Sequence, residues 1–89
     1  MLVTIDCAAI QDRADFHKVF SSKLRLPAYY GNNLDALYDC LTTLPEQTTL
    51  NLHHMQKLID NLGSYGRAAL NMIARAEREN PERLTVNMR

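Results

Sequence analysis

The sequence predicts an α/β fold: a small three-stranded parallel sheet packed with about four helices. Three observations carry that prediction. Short β-branched or alternating apolar stretches occur at residues 2–5, 48–53 and 84–88. Between them lie segments whose apolar residues recur at helical spacing, two before the middle stretch and two after it. Helical connections of that length permit parallel strands, joined by right-handed crossovers.

In chain order, Leu2-Val3-Thr4-Ile5 reads as a buried strand. Asp12 is placed to cap a helix, with Asp15 in its first turn and Phe16, Val19, Phe20 and Leu24 on its apolar side. Pro27 stops that helix or marks the turn after it. Gly31-Asn32-Asn33 is a turn, and either asparagine can cap a second helix expected over Asn33–Leu44, with Leu34, Leu37, Leu41 and Leu44 facing the core and Pro45 just beyond. Thr48–His53 is the second strand, with Leu50 and Leu52 on one face. Met55, Leu58, Ile59 and Leu62 outline a third helix ended by Gly63. A fourth is expected from Tyr65 to Glu79, closed by Asn80-Pro81, and Leu84–Met88 forms the last strand.

With 89 residues there is room for one core, so residues 1–89 are expected to form a single domain. Ten basic and ten acidic residues balance to zero, a poor match to a general nucleic-acid or membrane-surface binder. Cys7 and Cys40 have neither metal-site spacing nor disulfide density, which points to reduced thiols. MLVTIDCAAI lacks a basic leader and Asp6 interrupts its apolar run, so a cytoplasmic location is expected.

The segment LPAYYGNNLDALYDCL, residues 26–41, carries the functional signal. No Lys or Arg lies between Arg25 and Lys57, while Asp35, Asp39 and Glu46 fall inside that span. On a helix, Asp35, Tyr38, Asp39 and Thr42 share the outer side, and like charges four residues apart cost roughly 0.2–0.5 kcal/mol. The plain alternative is two solvated acids on a polar face. Against it stand Tyr29, Tyr30 and Tyr38 around the acids, Gly31 permitting close approach, and the missing cations. An aromatic-rimmed acidic patch suits a cationic protein surface, with rings for contact area and carboxylates for Arg or Lys.

This segment resembles the signature of the barstar family, cytoplasmic inhibitors of secreted bacterial ribonucleases of the barnase type. The likeness lies in Leu26-Pro27, Tyr29-Tyr30-Gly31, Asn33 to Leu37 and Asp39-Cys40-Leu41, without gaps; elsewhere it follows element order and length. It implies a small parallel sheet with four helices, and a loop and second helix that plug the nuclease active site. Asp39 would then replace an RNA phosphate among catalytic arginines and a histidine, and Asp35 would meet another arginine. Tyr29 would pack on the histidine, and Gly31 and Asn33 would add close backbone and polar contacts. Tyr30 and Tyr38 complete the expected partner-binding set. The chain departs from the family prototype at Tyr38, where the prototype has tryptophan, at Asn32, where it has glutamate, and at Arg75, which, allowing a one-residue deletion, aligns with an acidic contact residue and would repel a cationic enzyme. The prototype is also acidic overall.

Other chemistries fit less well. Adjacent His53 and His54 would point to opposite faces of a strand and cannot share an ion, so no metal or other cofactor is expected. Cys40 follows an acid, which does not activate a thiol, and reads as a small hydrophobe. With no nucleophile array or phosphate loop, the chain is not expected to be an enzyme. Arg67, Arg75 and Arg78 on the fourth helix are interleaved with Glu77 and Glu79. The reading is therefore an inhibitor that binds a secreted ribonuclease, monomeric when free, with no direct contact to nucleic acid or membrane. The alternatives are an interaction module for another cationic protein, or a small RNA-associated domain.

Overall fold

A computed structural model describes all of residues 1–89. Its elements are β1 (Leu2–Asp6), α1 (Arg13–Lys23), α2 (Leu34–Thr42), β2 (Thr48–His53), α3 (Met55–Leu62), α4 (Ser64–Glu79) and β3 (Leu84–Met88), with one 3-10 turn at Cys7–Ala9. The strands form a parallel sheet in the order β1-β2-β3, with Val3 opposite Leu50 and Leu50 opposite Val86. This is the three-stranded α/β architecture with four helices that the sequence predicts. No helix is long and apolar enough to cross a membrane.

The sheet has one inner face. Val3, Ile5, Leu50, Leu52 and Leu84 enter a 20-residue apolar cluster with Phe16, Phe20, Leu37, Leu41, Leu58 and Ile73. The other face carries Thr4, Thr85 and Asn87, which are exposed, and Asn87 donates to Asn51 across it at 2.8 Å. The first strand is therefore buried on one side only: Leu2 is 70% exposed. Its apolar run looks like that of a two-sided strand, but nothing packs over its outer face.

The α1 start follows the expected chemistry. The Asp12 carboxylate accepts the Asp15 N–H at 2.8 Å, and the Asp15 carboxylate accepts the Gln11 N–H at 3.1 Å. Its end does not wait for Pro27. Leu26 N–H reaches back to the Ser21 carbonyl (2.9 Å) and Arg25 N–H to that of Ser22 (3.3 Å), around Arg25 at φ 55°. A side chain thus occupies the left-handed position usually held by glycine.

The second helix is shorter than the expected Asn33–Leu44. Asn33 is its cap, and the helix stops at Thr42, with Thr43 turning away at φ −126°, ψ 29°. Both threonine hydroxyls donate back to main-chain carbonyls, Thr42 to Tyr38 (2.9 Å) and Thr43 to Asp39 (2.7 Å). Leu44 precedes Pro45 and is steered out of the helical region, yet it still reaches the core. On the far side, α3 and α4 meet at Gly66, where a Cβ would lie 2.4 Å from the Leu58 carbonyl oxygen.

Candidate functional site

Residues 27–33 carry the chain from α1 into α2. Tyr30 N–H donates to the Pro27 carbonyl at 3.0 Å, closing a turn, and Asn32 takes φ 55°. Asn33 is extended (φ −140°, ψ 167°), and its Oδ1 accepts the Ala36 N–H at 2.8 Å. Its Nδ2 donates to the Gly31 carbonyl at 3.2 Å. A Cβ on Gly31 would come within 3.1 Å of that Nδ2, so the loop and the cap are built against each other.

On this base α2 displays its acids. Asp35 lies in the first turn and Asp39 one turn later, both exposed. Arg75 pairs with Glu79 and His54 contacts Asp6, and neither contact involves these residues. Thr42 and Thr43 hydrogen-bond the main-chain carbonyl of Asp39, leaving its carboxylate free. Tyr29 stands beside them, 88% exposed. A groove of about 640 Å³ opens between Tyr29 and Asp39, floored by Leu24, Leu26, Cys40 and Leu44, roomy enough for a partner's side chain. The Cys40 thiol is raised above its ordinary pKa by burial and then by Asp39, the opposite of activation.

Tyr30 corrects the expectation made for it. Its ring is 9% exposed and packs in the core, and its hydroxyl meets His17 Nδ1 at 2.6 Å. Burial pushes the phenol well above its usual pKa. Tyr30 therefore holds the loop from beneath and offers a partner no ring surface. Tyr38 is half-buried on the seam with α4. Its hydroxyl donates to Glu79 Oε1, and the Arg75 guanidinium sits 4.5 Å above its ring. Arg75 Nε also lies 3.6 Å from the same carboxylate oxygen. The hydrogen bond to Glu79 raises the Tyr38 pKa, with Arg75 opposing. The arginine that seemed out of place is thus shared between an aromatic face and a carboxylate, which blunts its charge toward the acids. Glu77 points elsewhere: its carboxylate accepts the Val86 N–H at 2.6 Å and covers part of the β3 edge.

Tyr29 and Asp39 line one groove, Gly31 and Asn33 form the turn and cap that start α2, and Asp35 is exposed one turn before Asp39, with Tyr38 half-buried on the same helix. His53 and His54 form no shared site, since His54 turns away at φ 58° to pair with Asp6 at 2.9 Å. Sequence reasoning missed His17 and Tyr65, whose contact spans 48 positions, and no local pattern announces it.

A parallel three-stranded sheet, four helices and an unpartnered acidic helix at the surface together define a barstar-like α/β domain. The chain belongs to the barstar family: the family model described as Barstar (barnase inhibitor) matches residues 1–89. It is also 39% identical over 80 residues to a Bacillus subtilis (strain 168) protein named "Putative ribonuclease inhibitor YrdF", an alignment covering 86% of each chain.

Proposed function

We propose that this protein is a cytoplasmic inhibitor that binds and blocks the active site of a barnase-type bacterial ribonuclease. Residues 1–89 act as one domain, monomeric when free and without enzyme activity of its own. One observation carries the reading: Asp35 and Asp39 are held in the open on a capped helix with no counter-charge in their own chain. A site that binds RNA phosphate is cationic, so two carboxylates fixed one helical turn apart occupy it in place of phosphate. Asp39 takes the phosphate position, Asp35 pairs with a flanking arginine, and Tyr29 lies on a catalytic ring. Opposite charges steer the encounter, and buried Asp–Arg pairs slow its reversal. Membership of the barstar family and the name of the Bacillus relative support this target class.

The test is a titration of the protein into a barnase-type ribonuclease while RNA cleavage is followed. Stoichiometric inhibition is expected, with Asp39→Ala losing at least about 100-fold in potency, as befits a central charged contact. Equal potency of the two proteins would reject the assignment of Asp39.

A further inference from the structure

A buried imidazole lies between α1, the 29–33 loop and α4. His17, on α1, is 4% exposed, and each ring nitrogen meets a tyrosine hydroxyl: Nδ1 meets Tyr30 at 2.6 Å and Nε2 meets Tyr65 at 2.5 Å. A neutral imidazole has one N–H and one lone pair, so one tyrosine donates to the ring and the other accepts from it. The Tyr30 hydroxyl also reaches the Asn33 carbonyl at 3.5 Å, as a donor. With its proton directed there, Tyr30 accepts from Nδ1–H, and Tyr65 on α4 donates to Nε2. The Asn33 carbonyl also accepts the Leu37 N–H at 3.0 Å, in the first turn of α2. A directional chain thus runs from Tyr65 through His17 and Tyr30 to the helix cap below Asp35.

We propose that Tyr65 and His17 are positioning residues for the partner-binding face, holding the 29–33 loop and the α2 cap in place through this hydrogen-bond relay. The proposal deepens the inhibitor reading and rests on it for its functional consequence. The relay needs His17 neutral, and burial lowers its pKa in that direction. Arg13 and Lys18 on α1 are the charged groups at the cleft above it; Tyr65 and Tyr30 are the titratable groups in contact, and Asn32 and Asn33 are neutral. Arg13 lies 4.3 Å over the Tyr65 ring and keeps that ring in place whether or not it carries a hydroxyl. A loop fixed before its partner arrives loses less entropy on binding.

The variants are Tyr65→Phe and Tyr30→Phe, which keep both rings and cut the relay at opposite ends. Imidazole nitrogen NMR of the unaltered protein should find His17 protonated at Nδ1. In each variant the Leu37 and Tyr30 amides should exchange faster, with the Ile73 and Leu52 amides unchanged. Potency against a barnase-type ribonuclease should fall about two- to tenfold in each, the worth of one hydrogen bond. The double variant should fall no further than the worse single one. A proton on Nε2, unchanged loop exchange, or independent additive losses would overturn the relay. If the unaltered protein does not inhibit the nuclease, the inhibitor reading fails, while the nitrogen and exchange measurements still decide the relay.

Discussion

Asp35 and Asp39 repel one another on a helix that offers them no cation, and the chain keeps both. Asp35 has the helix N-terminus for company; Asp39, a turn deeper, has less of it. Replacing Asp39 with alanine removes the repulsion, roughly 0.2–0.5 kcal/mol. It also installs a better helix former, for a further gain of several tenths of a kcal/mol. Asp39→Ala should therefore raise the denaturation midpoint slightly while weakening inhibition at least about 100-fold, and a lowered midpoint would show that the carboxylate has a structural role. His17 behaves in the opposite sense. Its folded pKa lies below the unfolded value near 6.5, so the unfolded chain binds the extra proton first. Its contribution to stability is complete above pH 6.5 and fades as the pH falls through that value toward the folded pKa. Denaturant titrations from pH 7.5 to 5.5 should show this fall, and replacing His17 with glutamine should remove that component. Of these residues, the acids were legible in the sequence because spacing and missing cations show in a linear string. His17 was not, because its tyrosines lie 13 and 48 positions away.

At the scale of elements, helix starts were read from chemistry that acts within four residues. Asp12 and Asn33 cap α1 and α2 by accepting the N–H three positions on. Helix ends were harder. The stop of α1 depends on Arg25 accepting a left-handed conformation, and that of α2 on threonine hydroxyls returning to the backbone, neither of which a proline count reveals. The α3–α4 crossing was hidden altogether, because Gly66 looks like an ordinary weakness in a helix until the Leu58 carbonyl is seen against it. Gly66→Ala should destabilise the protein by about 1–3 kcal/mol, as overpacking does, although alanine is the better helix former. Chemical denaturation checks the sign: a stabilised variant would mean that the helices slide apart freely. Because α4 carries Tyr65, Arg75 and Glu79, any such shift should also reach the acidic face.

For the whole molecule, zero net charge conceals an uneven surface. The sheet and four helices bury one apolar cluster, and α2 is left displaying acids that no other element neutralises. Since the protein as a whole is neutral, attraction to a cationic nuclease depends on this local field and should weaken steeply with salt once the screening length drops to about 10 Å near 0.1 M. The fold was readable because three strand patterns and four helix patterns alternate cleanly. Strand order and the bare outer face of the sheet were not, since they depend on which elements pack together rather than on any segment's own pattern. Competition is the most direct measurement of phosphate mimicry. Binding of this protein to a barnase-type ribonuclease should be titrated at increasing concentrations of a 3′-mononucleotide that fills the enzyme's phosphate site. The apparent dissociation constant should rise in proportion to the nucleotide concentration. A constant indifferent to nucleotide would contradict it, placing Asp35 and Asp39 outside the active site.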